Sequence, residues 1–328
     1  MDFPLTTPLQ VRNYLSQKGL YLNAPVNLVD IGNINFVYRL DDPDQGTVYL
    51  KSYGVVPRRT TPAIDLIGFE PLRYLTERDA LQLFRRVLDP SFSDVIPKIL
   101  YFDFESRVMI MSDIARNGEI LREILLKDPQ QATTTMAPLG ALLGQQHART
   151  IGYQGFFQPE AFNRRFYDFR TIHSSVALSV TQQQTITQRA QQIWDANASF
   201  ACLINGDFSP KQIYVSNAGI GICDLELVSL GVASYDIGFF VGQMKLLEYI
   251  TENALVGDLA LQFLDSYFAT LILEVPDRLD FITFTREHVD FFIGLGILNR
   301  LDAVPLEKFI PPEKVSFLRE CALTFIFK

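Results

Sequence analysis

Apolar and polar positions alternate along the first third of the chain, then give way to apolar residues recurring every three to four positions. Thr7 followed by Pro8 is an N-cap with proline in the first turn and predicts a helix over 8–18. Residues 26–31 (VNLVDI), 34–40 (INFVYRL) and 47–52 (TVYLKS) are rich in β-branched and aromatic side chains and predict three strands. Gly32-Asn33 separates the first two, and the turn cluster 41–46 (DDPDQG) separates the next two. Residues 63–78 read as a helix carrying Glu70. Because proline disrupts a helix interior, the alternative is a helix beginning at Pro71 with Glu70 at its cap or in its first turn. Residues 97–111 predict a hairpin turning at Glu105-Ser106, followed by an aperiodic linker, 112–118. Helical spacing then governs 118–127, 131–150, 181–194, 236–251, 255–272 and 284–302. The pattern predicts an α+β fold with a β-rich lobe over 1–113 and a mainly helical lobe over 114–328.

One stretch, 203–238, departs from both patterns by placing Asp207, Asp224, Glu226 and Asp236 among apolar runs. Unpaired carboxylates there are costly, so either each has a structural partner or some jointly hold a divalent cation beside a proton acceptor. Leu203-Ile204 end a strand, 205–211 form a loop, and 212–216 and 220–223 form a hairpin around Asn217-Ala218-Gly219. This hairpin puts Asp207, Asp224 and Glu226 on one side. Phosphoryl transfer needs such a set: an acceptor for the attacking hydroxyl's proton and hard oxygen ligands for magnesium on ATP phosphates. Two features upstream fit the same chemistry. The backbone of Gly32-Asn33-Ile34-Asn35 either cradles a phosphate or makes a plain hairpin turn. Lys51, inside an apolar strand, either meets a phosphate with Glu70 holding it in place or reaches solvent from an edge.

Composition narrows the partners. The chain has 328 residues, 48% apolar and 20% charged, which is ordinary for a folded globular protein. A formal charge of −8 argues against nucleic acid as partner, since no basic excess displaces counterions. The three cysteines, Cys202, Cys223 and Cys321, lie in apolar runs and read as buried thiols. His147 reads as a core or capping residue, and His173 and His288 have no ligand spacing. With no signal-peptide pattern and no run of about 18 uncharged apolar residues, a cytoplasmic protein without a membrane span is expected. A homodimer is compatible with the sequence.

The loop NGDFSPKQI resembles the HGDxxxxN catalytic loop of aminoglycoside-phosphotransferase-type kinases, which share the protein-kinase-like two-lobed fold. Within that superfamily the chain looks most like the 5-methylthioribose kinases. Residues 224–238 (DLELVSLGVASYDIG) match their DPEF…G…FDIG spacing, and 31–38 (IGNINFVY) look like their GNLNxVF phosphate loop. The resemblance implies Asp207 as base or orienter of the acceptor hydroxyl, and Asp224 and Glu226 as magnesium ligands. Gln212, where the family has Asn or Ser, is a third candidate ligand. Lys51, held by Glu70, would contact ATP phosphates covered by Gly32, Asn33 and Asn35. Met111, Ser112, Asp113 and Ile114 would present backbone groups to adenine, and Asp236 would brace the catalytic loop. Asn205 replaces the family's His, the tryptophan-bearing loop between Lys51 and the helix is shorter, and Asn299 precedes Arg300 where the family has two arginines. Arg300 is thus a candidate substrate residue. The implied activity is transfer of the γ-phosphate of ATP to a hydroxyl of a small polar metabolite, first a methylthioribose-like sugar. The alternatives are an aminoglycoside, amino alcohol or homoserine-type acceptor, or a nucleotide-binding pseudokinase.

Overall fold

Strand alternation in the N-terminal sheet sends side chains to two differently covered faces. The computed structural model describes residues 4–29, 34–59, 70–155, 160–303 and 309–328. Strands β1 (Val26–Val29), β2 (Phe36–Asp42), β3 (Gly46–Ser52), β4 (Ile99–Asp103) and β5 (Val108–Ser112) form an antiparallel sheet in the order β1-β2-β3-β5-β4. Helix α1 (Pro8–Lys18) starts at a reciprocal Thr7–Gln10 capping box and stops at Gly19, whose φ of 67° suits a residue without Cβ. Its Val11, Tyr14 and Leu15 close one face of the sheet over Tyr38, Leu40, Val48, Leu50, Val108 and Ile110. The opposite face carries Lys51, Tyr53, Met109 and Met111. Helix α2 (Arg73–Val87) lies on that side and joins Tyr53, Met109 and Met111 to the main core through Tyr74, Ala80, Leu81 and Phe84.

After the linker come the short strand β6 (Glu119–Ile120), α3 (Leu121–Lys127), α4 (Met136–Arg149), α5 (Glu160–Thr171) and α6 (Val180–Asp195). Strands β7 (Ala201–Ile204), β8 (Ile213–Ser216), β9 (Gly219–Ile222) and β10 (Ser229–Val232) follow, then α7 (Ala233–Thr251), α8 (Ala254–Glu274), α9 (Leu279–Leu298) and α10 (Val315–Ile326). Strand β10 pairs with β7, and β6-β8-β9 make a separate small sheet. Helix α4 packs on α8 so closely that a Cβ at Gly140 would strike the carbonyl of Phe263. Helix α8 is long and apolar enough to cross a membrane by length and composition, although it carries Asp258 and Asp265. Its Val256, Leu259, Ala260, Phe263, Tyr267 and Leu271 are buried in the core.

The α+β class expected from the sequence is observed, with a β-sheet N-terminal region and a helical C-terminal region. Two elements beside the site, α5 and β10, were not anticipated. The helix expected over 131–150 begins at Met136, after a 3-10 turn over Pro129–Ala132. Residues 63–69, the first part of the helix expected over 63–78, lie outside the described residues.

Candidate active site

Strand β7 ends at Ile204, and the chain turns at Gly206, whose φ is +75°. A Cβ there would come within 2.6 Å of the Leu227 carbonyl oxygen, so both conformation and space favour glycine. Asp236, in the first turn of α7, accepts from the backbone amides of Asn205 and Gly206. His147 lies 3.4 Å from the same carboxylate and 2.9 Å from the Tyr267 hydroxyl, fully buried, as a core residue. Asn205, in the position of the family's His, donates to Gln146 Oε1 at 3.3 Å. The loop is therefore fixed from below before Asp207 leaves it.

The β8–β9 hairpin then delivers Asp224 at φ +64°, a backbone conformation that residues with a Cβ rarely adopt. Asp224 Oδ1 pairs with Lys51 Nζ at 2.7 Å, and Oδ2 accepts from Gln212 Nε2 at 3.0 Å. The Gln212 amide also lies 3.4 Å from Asp207 Oδ2 and so bridges the two acids. Lys51 simultaneously pairs with Glu77 Oε2 at 2.7 Å and lies 3.6 Å from Glu226 Oε2. Glu226 accepts from Asn35 Nδ2 at 2.6 Å and faces Arg73 Nε at 3.3 Å. Arg73 in turn donates to Asn35 Oδ1 and to the Gly54 carbonyl. This network ties the start of β2, β3 and α2 to the hairpin.

Burial and charge act in opposition in this group. Desolvation disfavours the Lys51 ammonium, but Asp224, Glu226 and Glu77 outweigh it and push its pKa well up, so it stays protonated. Burial raises the Glu77 carboxyl despite Lys51, whereas at Asp224 the attraction of Lys51 overcomes burial and lowers the pKa. Carboxylate oxygens of Glu77, Asp224 and Glu226 all lie within 4.8 Å of one another. Among the described residues these three acids face Lys51 and Arg73, a donor set that suits a hard divalent cation. Asp224 is the open member, with a third of its side chain exposed.

Asp207 has different surroundings. Its Oδ2 pairs with Lys211 Nζ at 2.9 Å, its Oδ1 with Arg170 Nη2 at 2.9 Å, and Arg300 Nη2 stands 3.9 Å from Oδ1. Burial by itself would raise this carboxyl, but Lys211, Arg170 and Arg300 together hold it well below the usual carboxylate range.

The residues singled out from sequence divide as follows. Lys51, Asp207, Gln212, Asp224, Glu226 and Asn35 converge on one cluster, and Arg300 lies beside Asp207. Gly32 and Asn33 fall outside the described residues. Glu70 is corrected. It precedes α2, which starts only at Arg73, and its Oε1 accepts from the Leu72 amide at 3.0 Å. Glu77 holds Lys51 instead, because it lies on the buried stripe of α2 with Arg73, Tyr74, Ala80, Leu81 and Phe84. The segment expected to face adenine is partly engaged within the protein. Met111 is paired in β5, and the Ser112 amide donates to the Lys98 carbonyl at 2.9 Å. The Asp113 carboxylate accepts from the amides of Ala115 and Arg116. Gln212 presents its amide nitrogen to both acids, and a flip of that amide would be needed for its oxygen to meet a cation. Arg73, Glu77 and Arg170 were missed by sequence reasoning. Each is a charged residue on the apolar stripe of a helix, and that was the available signal.

The sequence gives no match among curated proteins. Similar solved structures include an ethanolamine kinase from Plasmodium vivax, with 12% identity over all of this chain and 91% of that one, at a TM-score of 0.54. A choline kinase from Cryptosporidium parvum has 13% identity over 92% of this chain and 88% of that one, at 0.55. One from Streptococcus pneumoniae has 13% identity over 97% of each chain, at 0.54. These likenesses are of fold. The profile of the phosphotransferase enzyme family APH matches residues 26–282, well over half of the sequence, and the chain belongs to that family.

Proposed function

We propose that the protein is a small-molecule kinase that transfers the γ-phosphate of ATP to a hydroxyl group. The observation that carries this reading is the Gln212 amide bridging Asp207 and Asp224, with Lys51 and Glu77 behind Asp224. It supports a division of roles. Asp224, with Glu226 and a flipped Gln212 as further donors, would hold Mg2+ on the ATP phosphates. Bound there, the ion would neutralise charge on the transferring group. Lys51 is a fixed point charge for phosphate oxygens, kept in place by Glu77. Asp207 faces the acceptor hydroxyl. Held ionised by its cations, it is a weak base, so its main work is to orient the hydroxyl; a loose phosphoryl-transfer transition state asks for little more. The resemblance to methylthioribose kinases supports a polyhydroxylated acceptor, and a methylthioribose-like sugar is the first compound to try. The solved kinases of similar fold add choline and ethanolamine. The test is transfer of label from γ-labelled ATP, with and without Mg2+, to a panel of methylthioribose, choline, ethanolamine, an aminoglycoside and homoserine, widened to other small alcohols. Magnesium-dependent labelling of one alcohol is expected. Binding of ATP without transfer to any alcohol would contradict the proposal.

A further inference from the structure

We propose that Cys223 is a positioning residue for the Gln212 side chain, and that its thiol lets the amide exchange its two ends when a divalent cation binds at Asp224. The inference rests on the kinase reading above and adds how this chain prepares its metal site. Gln212 and Cys223 face each other at the base of the β8–β9 hairpin, one residue outside the Ile213–Ile222 pair. Their backbones are joined there, since the Cys223 amide donates to the Gln212 carbonyl at 3.1 Å. The backbone amide of Gln212 in turn donates to the Ser209 carbonyl at 2.9 Å, so the main chain is held on both sides of the pair.

The side chain of Gln212 is held at both ends too. Nε2 lies 3.0 Å from Asp224 Oδ2 and 3.4 Å from Asp207 Oδ2, and two ionised carboxylates accept only the nitrogen end. Oε1 then points the other way, to the Cys223 thiol at 3.5 Å, a contact that is partly buried. The same sulfur lies 3.5 Å from the main-chain carbonyl oxygen of Gln212. One S–H thus has two acceptors within reach and serves one of them at a time.

A cation at Asp224 asks for the oxygen end of the amide. Half a turn of the last side-chain torsion exchanges Oε1 and Nε2 without moving the rest of the residue, and that torsion is soft. The N–H groups then face the Cys223 sulfur. The thiol hydrogen turns to the main-chain carbonyl, which leaves a sulfur lone pair to accept from Nε2. Both ends of the amide are therefore engaged in either orientation. An apolar side chain at 223 would leave the amide oxygen without the thiol at rest and the N–H groups without the sulfur after the exchange, the second being the costlier orphan. Glutamine has three rotatable side-chain bonds, so a partner that fixes its far end also lowers the entropy lost when the cation binds.

The test is the factor by which Mn2+ tightens binding of a non-hydrolysable ATP analogue to the full chain, measured by calorimetry with and without the ion. Cys223→Val is expected to lower that factor about threefold to tenfold, the range of one net hydrogen bond, and to leave the metal-free affinity within about twofold. The metal-free affinity also reports that the variant is folded, and Cys223→Ala, the smaller apolar variant, should behave alike. Cys223→Ser keeps a donor and an acceptor and should lose less. In Gln212→Leu, Cys223→Val should have no further effect, because the thiol acts through the amide. A factor unchanged by Cys223→Val and Cys223→Ala, or lowered equally in the Gln212→Leu background, would overturn the inference. Asp224→Asn separates the two proposals. If it abolishes the factor while the Cys223 variants leave it unchanged, the inference falls and the kinase reading stands. If Mn2+ does not tighten the analogue in the wild type, or Asp224→Asn leaves the factor unchanged, the metal assignment of the kinase reading falls and the inference with it.

Discussion

On the Lys51 side of the Gln212 amide, three carboxylates (Glu77, Asp224 and Glu226) face two cations, Lys51 and Arg73. On the other side, among the described residues, Asp207 faces Lys211, Arg170 and Arg300. The amide that separates these regions touches an acid of each. The acid-rich side suits a divalent cation carrying ATP phosphates; on the cation-rich side the cations hold Asp207 ionised.

Removing charges one at a time breaks or sharpens this contrast. The largest effect is expected on the acid-rich side, where Asp224→Asn should lower turnover about 10²–10³-fold and weaken its dependence on Mg2+. A magnesium titration of turnover checks it. Glu77→Gln should destabilise the fold by about 1–3 kcal/mol, because Lys51 and the Tyr53 hydroxyl lose a charged acceptor while Lys51 keeps Asp224. Urea unfolding measures this, and Glu70→Gln is the control, expected to change stability by less than about 0.5 kcal/mol. On the cation-rich side the prediction concerns pH. Burial raises and the three cations lower the Asp207 pKa, with a net shift well downward. A depressed carboxyl contributes stability that is complete above its unfolded value of about 3.9 and is lost as pH falls through the lower folded value. Asp207 should therefore add no acidic limb to kcat/KM between pH 5 and 8. Arg170→Met should move that limb upward, which a pH–rate profile reads directly.

The two sides also differed in how far the sequence disclosed them. Asp207, Gln212, Asp224 and Glu226 lie within one loop and hairpin, whose turn residues and alternation locate them by local rules. Lys51 stood out as a charge in an apolar strand. Its partner did not, because Glu70 and Glu77 are two helical turns apart, and only the start of α2 at Arg73 decides between them. Pro71 hinted at this, and the apolar stripe through Tyr74, Leu81 and Phe84 pointed to Glu77. Arg170 was harder still. It lies on an aromatic helix far from the loop in sequence, and only tertiary packing brings it and Arg300 to Asp207. Buried charges gathered from remote elements have no spacing to read.

The most direct test of the central claim is single-turnover transfer of the γ-phosphate in Asp207→Asn, with ATP binding followed on the same samples. The substitution keeps the size of the side chain and removes the charge that Lys211, Arg170 and Arg300 surround. The structure predicts a loss of about 10²–10⁴-fold in the transfer rate with ATP affinity nearly unchanged. Transfer at the wild-type rate would contradict it.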